Sequence, residues 1–410
     1  MMKRVVITGM GVVSPIGNSV GEFWDSLKKG VNGIDHITRF DASSSKGKVA
    51  AEVKNFNASH LFERLLEKKI DLNVKYAVYA ADEAFRDCGL EPGIDRNDMG
   101  VIIATGVGGI NTTCEEEDKF REGGPLKVSS YFIPKMIINM AAGHVAIRLK
   151  SHGTAQQLST ACASGSDAIG EAYRAIKDGY LTYAVCGGTE AAIHPLAIAG
   201  FVNCMALSLS DDPNAASIPF DNRRSGFVLG EGAAVLVLEE YENAKKRGAK
   251  MYAEICGYGS TCDAFHITAP DPTATQTARA ISLSLEGVDY NPETTYLNAH
   301  GTSTPKNDVS ETNAIKLAFG DDAKKLKISS TKSMTGHMLG AAGAAEAIAC
   351  VLALTEGIVP PTINLFEPDP ECDLDYTPLV ARECRIETAI STSLGFGGHN
   401  ACIALRKVKQ

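Results

Sequence analysis

The chain has 410 residues, more than one hydrophobic core usually supports, so two subdomains or a duplicated fold are expected. Its 44% hydrophobic and 22% charged residues are typical of a globular protein, and the net charge of −9 argues against nucleic acid as a partner. The 11 cysteines are scattered, odd in number and without C-x-x-C spacing, so neither a disulfide framework nor a metal site is expected and a reducing compartment fits best.

The N-terminal residues MMKRVVITGMG lead directly into a predicted strand. They lack the long apolar core of a secretory signal and the amphipathic Arg- and Ser-rich pattern of a transit peptide, so a cytoplasmic location is expected. Gly9, Gly11 and Gly17 miss the GxGxxG spacing, which argues against a dinucleotide site. The most apolar stretch, 341–354, is too short to span a bilayer and contains Glu346, so it predicts a buried helix and no membrane partner.

Basic residues recur at helical spacing in HLFERLLEKKID, where Arg64, Lys68 and Lys69 stand at i, i+4 and i+5. Lys127 adds a further positive charge later in the chain. This pattern predicts one basic helical face, either a docking surface for an acidic partner or an ordinary solvated face. Further on, ATGVGGI at 104–110 predicts a strand that ends in glycines.

The segment LSTACASG at 158–165 predicts a strand, a sharp turn and a buried helix that begins at Cys162. A cysteine at a helix N-terminus is near free backbone N–H groups and the positive end of the helix, and both favour the nucleophilic thiolate. The small neighbours Ala163, Ser164 and Gly165 leave room for a bulky thioester. The alternative is a buried structural cysteine at the end of a strand.

Two histidines lie in glycine- and hydroxyl-rich turns of the second half. His300 follows the strand-like run Thr295, Tyr296, Leu297, and His337 precedes an alanine-rich helix. One cysteine with two histidines indicates attack on a carbonyl-level carbon and stabilisation of the resulting charge by N–H donors. Glu346 inside the alanine-rich helix would be costly without a partner, and Lys332 is the candidate.

The order of segments suggests an internal duplication. Strand, turn and helix around Cys162 are repeated in KISSTKSMTGHMLGAAGAAEAIACVLALTEG, so the two segments are predicted to occupy related corners of two similar units. Alternating strands and helices predict a mainly parallel sheet in each half. The boundary is placed in the charged segment 239–250, giving an N-terminal half at 1–250 and a C-terminal half at 251–410.

The segments TACASG, NAHGTSTP, TKSMTGHMLGAAG and SLGFGGHNA together resemble the signature segments of the 3-oxoacyl-[acyl-carrier-protein] synthases, in the family's order and over essentially the whole chain. The subgroup with the greatest resemblance is the elongating type II enzyme of fatty acid synthesis. The resemblance implies the thiolase-like fold, five αβαβα layers with two duplicated halves. It also implies a homodimer that needs no cofactor of its own, since its substrates are carried on the phosphopantetheine arm of acyl carrier protein.

The resemblance further implies a role for each motif residue. Cys162 would hold the growing acyl group, His300 and His337 would stabilise the enolate formed from malonyl thioester, and Lys332 would belong to the same site. The N–H groups of Cys162 and Phe396 are the candidates for the second oxyanion. Thr302 and Thr304 would hydrogen-bond the pantetheine arm, and Val107 would limit the far end of the acyl pocket. Phe201 would be a pocket aromatic, and Asp308 would steady the His300 loop.

In the family the carrier protein docks at the positions of Arg64, Lys68, Lys69 and Lys127. The chain departs from the usual pattern at three places that bear on the site and on docking. Lys306 and Asn307 stand in the loop after His300, Met205 replaces an arginine, and Ile218 and Ser225 replace commonly charged residues.

Other functions remain open at this point. A polyketide-type ketosynthase or another thiolase-like acyltransferase is the main alternative, although thiolases carry a second cysteine where this chain has His337. A non-catalytic chain-length-factor subunit would lack the nucleophile, and a cysteine hydrolase would release free acid.

Overall fold

The computed structural model describes residues 2–90 and 94–409. In the N-terminal half the elements are β1 Val5–Val13, α1 Val20–Lys29, β2 Asp35–His36, β3 Val49–Ala50, α2 Arg64–Glu67, α3 Leu72–Cys88, β4 Met99–Ala104, α4 Ile110–Gly123, α5 Phe132–Met136, α6 Met140–Leu149, β5 Ala155–Gln156, α7 Ser164–Lys177, β6 Tyr183–Glu190, α8 Pro195–Asn203, α9 Pro213–Ala216, β7 Gly232–Glu240 and α10 Tyr241–Lys246.

The second half begins with a strand that pairs with β1 over three residues. Its elements are β8 Ala253–Cys262, α11 Thr275–Ser284, β9 Thr295–Asn298, α12 Pro305–Phe319, β10 Lys327–Ser329, α13 Lys332–Thr335, α14 Ala342–Glu356, β11 Ile358–Val359, β12 Arg382–Glu383, β13 Thr388–Gly395 and β14 His399–Arg406. The boundary placed at 250 from the sequence falls between α10 and β8.

The two halves repeat one sheet topology. The strand order is β1-β7-β6-β4-β5 in the first half and β8-β14-β13-β9-β10 in the second, so the five strands of each half follow the same order. In each half two strand pairs are parallel and two are antiparallel, which corrects the expected mainly parallel sheets. In the second half the reason is local: β13 turns directly into β14 through Gly397 and Gly398, both with positive φ, and a tight turn makes neighbouring strands antiparallel.

Five layers result from this duplication. Helices α3 and α6 cover the outer face of the first half-sheet, and α11 and α12 share an apolar cluster with strands of the second. Between the half-sheets lie α7 and α14, which pack against each other and against strands of both halves. The two helices approach closely because their contact is made by glycines: a Cβ on Gly165 would lie 2.8 Å from the carbonyl oxygen of Gly340, and one on Gly343 would lie 2.2 Å from Ser166 Oγ.

Helix α14 and the turn before it form the apolar centre of the molecule. Residues 339–356 are long and apolar enough to cross a membrane by length and composition, but 89% of them are buried inside the protein. Side chains from both halves, such as Ile169, Leu236, Ile348 and Ile403, form one continuous core around this helix. The helix is therefore the buried core element that its alanine-rich sequence predicts.

Candidate active site

The corner that carries Cys162 is a strained turn before a buried helix. The predicted strand is only Ala155–Gln156, and Cys162 lies in a 3-10 turn, Ala161–Ala163, from which α7 continues at Ser164. Ala161 has a positive φ of 51°, an uncommon conformation for a residue with a side chain. The turn is held by Ser164, whose Oγ donates to the carbonyl of Ala161 (2.6 Å) and accepts from the N–H of Thr160 (2.8 Å). The thiol is thus presented at the start of α7.

The turn after β13 closes against Cys162. A Cβ on Gly395 would lie 2.5 Å from the carbonyl oxygen of Thr160 and 3.2 Å from the nitrogen of Cys162, so only glycine fits there without a shift. This approach brings the N–H of Phe396 onto the thiol, beside the N–H of Cys162 itself. The two donors lie where an oxyanion on an acyl group bound to Cys162 would need them.

Burial decides the charge of the thiol. It raises the pKa of Cys162 to about 12, against the opposing effects of the Lys332 charge and the two backbone N–H groups. The shift is opposite to the one that the helix start favours, because loss of water outweighs the backbone N–H groups and the Lys332 charge. Cys162 is a protonated thiol at neutral pH.

The two histidines meet at the same cavity. Their rings are 5.2 Å apart at 86°, and both side chains are almost fully buried. Burial lowers the pKa of His300 and of His337 well below 6.5, and the positive charge of Lys332 adds to this. Both imidazoles are therefore neutral at physiological pH.

Lys332 fixes which nitrogen of His300 carries the proton. Its Nζ lies 3.3 Å from His300 Nδ1 and forms a buried ion pair with Glu346. Since an ammonium group can only donate, Nδ1 accepts and the proton of neutral His300 is on Nε2. His300 is thus set up to donate from Nε2.

Each histidine is held by its backbone. The N–H of His337 donates to the carbonyl of Val228 (2.7 Å), and its carbonyl accepts from Gly230 (2.9 Å), so the first half of the chain positions a histidine of the second. The N–H groups of His300 and Gly301 donate to the two oxygens of Glu311, at 2.7 and 2.8 Å. Burial raises the pKa of Glu311 to about 7. Glu311 could not be predicted from the sequence, because it carries no motif signal inside the helical pattern of α12.

A cavity of about 640 Å³ brings these groups together. Cys162, His300, His337 and Phe396 line it, together with Thr302 and Thr304. The two threonine hydroxyls are 3.1 Å apart, and Thr304 also caps α12 by accepting from the N–H of Asn307. Lining residues that the sequence analysis did not assign include Phe227, Asp263, Phe265, His266 and Asn400.

Apart from the docking residues, five predicted residues lie outside the walls of this cavity, and two of them, Lys332 and Glu346, form the buried ion pair beside His300. Val107 lines a second, apolar cavity of about 500 Å³ with Ile110 and 136–138, and it belongs to the apolar cluster that contains Cys162. Phe201 packs edge-on against Phe227, which packs edge-on against His337. Asp308 is fully buried behind the His300 loop, where it accepts from the N–H of Phe220 at 2.9 Å.

The basic residues lie in two segments of the first half, 64–69 and 125–131. Arg64, Lys68 and Lys127 are exposed, and Lys69 links two segments by donating to the hydroxyl of Tyr131 at 2.9 Å. The helix is shorter than the spacing predicts, because α2 ends at Glu67 with Lys68 as its C-cap. Among the described residues there is no group of three or more His, Cys, Asp or Glu side chains that could hold a metal ion.

Comparison with known proteins assigns this arrangement to a family. The beta-ketoacyl synthase N-terminal domain matches residues 2–244 and the beta-ketoacyl synthase C-terminal domain matches residues 252–366. The chain belongs to the beta-ketoacyl synthase family.

Similar proteins in this family match along their whole length. The chain is 49% identical to "3-oxoacyl-[acyl-carrier-protein] synthase 2" of Synechocystis sp., over 99% of this chain and 98% of that protein. It is 47% identical to the protein of the same name from Staphylococcus aureus, with the same coverage. A ketosynthase solved in complex with its type II PKS acyl-carrier protein has a TM-score of 0.93 and 36% identity, covering 100% of both chains. The fold is that of the ketosynthases, which is thiolase-like.

Proposed function

We propose that this protein is an elongating 3-oxoacyl-[acyl-carrier-protein] synthase of fatty acid synthesis. The observation that carries the proposal is the convergence of Cys162, His300 and His337 on one cavity, in a chain that is 47–49% identical over nearly its full length to proteins of that name. The reaction joins an acyl group held on Cys162 to a two-carbon unit from malonyl-carrier. Its products are 3-oxoacyl-carrier, free carrier thiol and carbon dioxide.

The first half-reaction loads the enzyme. The Cys162 sulfur attacks the thioester carbonyl of acyl-carrier, the N–H groups of Cys162 and Phe396 donate to the oxyanion, and the carrier sulfur leaves and takes up the proton of the thiol. Because the resting thiol is protonated, its proton must leave as the carbon–sulfur bond forms.

The second half-reaction uses the neutral histidines. Malonyl-carrier loses carbon dioxide, and the electron pair of the broken bond forms an enolate whose oxygen accepts from Nε2–H of His300 and from His337. The enolate carbon then attacks the acyl-Cys162 carbonyl, and the sulfur leaves and regains a proton. Decarboxylation drives carbon–carbon bond formation, so this scheme needs no metal or redox cofactor, and the phosphopantetheine arm arrives with the carrier.

The growing chain is assigned to the apolar cavity beside Val107. Val107 and Ile110, which line this cavity, belong to the same apolar cluster as Cys162. An acyl chain that is bound to the sulfur and extends away from water therefore reaches the wall that they form. Val107→Phe should therefore block long acyl chains and spare short ones. An unchanged chain-length profile of the purified variant would remove Val107 from the pocket.

Acyl carrier protein is the proposed partner, and Arg64, Lys68, Lys69 and Lys127 are the proposed docking residues. Acyl carrier proteins are acidic, and these side chains offer positive charge on an otherwise acidic molecule. Three exposed leucines stand among them: Leu65 and Leu66 lie between Arg64 and Lys68, and Leu126 precedes Lys127. Apolar contacts therefore add to charge attraction at this surface.

A homodimer and a cytoplasmic location complete the proposal. Ile133, Ile137, Ile138 and Ile147 are exposed large apolar side chains, and Ile137 and Ile138 line the apolar cavity; a second copy would cover them. Sedimentation of a monomer at micromolar concentration would contradict the dimer. The 11 cysteines are all free, which suits a reducing compartment, and cell fractionation tests the location.

The direct test of the function is a condensation assay. Purified protein is supplied with malonyl-carrier and a series of acyl-carriers, and the products are followed by mass spectrometry. We expect 3-oxoacyl-carrier two carbons longer than each accepted primer. Release of free fatty acid, or no product from any acyl-carrier, would contradict the proposal.

A further inference from the structure

A buried carboxylate of the first half joins two walls of the site. Glu190 ends β6, is fully buried, and forms no ion pair with any residue that the structure describes. Its oxygens accept four hydrogen bonds: from Thr105 Oγ1 (2.9 Å), and from the N–H groups of Gly106 (2.8 Å), Val107 (3.2 Å) and Gly340 (3.1 Å). An unpaired buried carboxylate is costly, so all four donors are needed to hold it.

The donors come from two segments with different tasks. Thr105, Gly106 and Val107 follow β4 and lead into the apolar cavity proposed for the acyl chain. Gly340 belongs to the turn between His337 and α14, in the other half of the molecule. The residue before it, Leu339, has a positive φ of 45° and packs in the apolar cluster of Cys162. Glu190 thus ties the acyl-side loop to the turn behind His337.

The space around the carboxylate is closed by glycines. A Cβ on Gly106 would lie 2.9 Å from Glu190 Oε2, and one on Gly340 would lie 3.0 Å from the same atom. A Cβ on Gly340 would also lie 2.5 Å from the nitrogen of Gly106. The two segments therefore meet at the carboxylate with no room for other side chains.

We propose that Glu190 is a positioning residue that holds the acyl-side loop and the His337 turn in one arrangement, so that acyl loading and malonyl decarboxylation both depend on it. The two steps are those of the proposed function, on which this inference rests. Glu190 touches neither substrate, and its effect reaches Val107 and His337 through the backbone bonds described above.

The test replaces Glu190 by glutamine, which keeps the shape and removes one acceptor oxygen. Each carboxylate oxygen accepts from at least one backbone N–H, so the amide nitrogen of Gln opposes an N–H donor in either orientation. We expect both long-chain acylation of Cys162 and malonyl-carrier decarboxylation to fall, each by about 10- to 100-fold for a displaced site. The fall should be in kcat as well as KM.

The pH dependence of Cys162 alkylation by iodoacetamide distinguishes a positioning role of Glu190 from loss of the fold. The negative charge of Glu190 raises the pKa of the Cys162 thiol, so Glu190→Gln should move the pH midpoint of alkylation downward. Because burial is the main cause of the raised pKa, a destabilised protein that admits water to the thiol would also lower the midpoint, so the shift is read only if the thermal unfolding midpoint of the variant matches that of the wild type. Glu83→Gln is the matched control, since Glu83 also accepts from two backbone N–H groups, those of Val12 and Val20, and lies outside both cavities.

A second variant keeps the proposal testable if Glu190→Gln does not fold. Thr105→Val removes one donor and leaves the carboxylate, and it should lower the same two steps to a smaller extent. The proposal would be overturned if only one of the two steps is slowed, or if neither is. It would also be overturned if both are slowed without a shift in the pH midpoint of alkylation. Failure of the wild-type protein in both steps would instead contradict the proposed function. Alkylation of Cys162 needs no carrier substrate, so it can be measured in that case as well.

Discussion

Desolvation sets the charge of the reacting side chains. Cys162, His300 and His337 are all buried, and burial favours the neutral form of each, raising the pKa of the thiol and lowering that of the imidazoles. Lys332 remains paired with Glu346 and lowers the pKa of both histidines further. In the free enzyme the site therefore contains a protonated thiol, two neutral imidazoles and one buried ion pair.

This charge state predicts the pH dependence of decarboxylation. The neutral imidazoles are the active form, and their pKa values lie well below 6.5, so activity is lost only when the pH falls through those lowered values. Decarboxylation of malonyl-carrier by Cys162→Ala should stay level from about pH 8 to about pH 6. Release of labelled carbon dioxide measures the rate. An acid limb centred at or above 6.5 would show that the histidines titrate normally.

Part of this chemistry could be predicted from the residues. Glu346 in an alanine-rich helix requires a partner, and the structure places Lys332 against it. Glu311 and Glu190 could not be found in that way, because each accepts from backbone N–H groups of other segments, which leave no pattern of side-chain types. The pKa of Cys162 could not be predicted because the sequence shows the helix start but not the depth of burial.

At the scale of the elements, two close turns shape the site. The turn after β13 reaches Cys162 only because Gly395 has no side chain, and this approach places the N–H of Phe396. The resemblance of SLGFGGHNA to a family segment predicted the N–H of Phe396 as an oxyanion donor. It did not predict that the same turn makes β13 and β14 antiparallel, since the paired register emerges only when both strands are placed.

Gly395→Ala tests the placement of the turn. The new methyl group would meet the carbonyl of Thr160 and push Phe396 from the thiol, so acylation of Cys162 should fall by roughly 100- to 1,000-fold, the effect of losing one oxyanion donor. Gly21→Ala, at a helix position with no atom within 4 Å of the added Cβ, is the matched control and should react normally. Intact-protein mass spectrometry of the acyl adduct gives both rates. Normal acylation of Gly395→Ala would exclude Phe396 as the donor.

On the scale of the whole molecule, duplication explains why the site lies where it does. Both halves place a 3-10 turn before a buried helix, Ala161–Ala163 before α7 and Leu339–Ala341 before α14, and the two helices pack together. Cys162 and His337 are thereby brought to one cavity from opposite halves. The repeated strand-turn-helix order in the sequence predicted these related corners, but the shared strand order of the half-sheets required the structure.

The surface charge predicts how the carrier docks. Lys68→Glu with Lys69→Glu should raise the carrier KM, and added salt should raise the wild-type KM, because exposed charges are screened over about 10 Å at 0.1 M salt. The exposed leucines at 65, 66 and 126 should leave residual affinity at high salt. Lys245→Glu with Lys246→Glu, an exposed pair at the end of α10, is the control. Normal kinetics of the first double variant would place docking elsewhere.

Cys162 and the histidines serve different half-reactions, and separating the half-reactions tests this most directly. Cys162→Ala should form no acyl-enzyme and no 3-oxoacyl product yet still decarboxylate malonyl-carrier. His337→Ala should acylate Cys162 while decarboxylation falls by roughly 100- to 1,000-fold, as for one oxyanion donor. His300→Ala should resemble His337→Ala. Mass spectrometry of the intact protein and labelled carbon dioxide measure the two steps. Normal decarboxylation by His337→Ala, or 3-oxoacyl product from Cys162→Ala, would contradict the account.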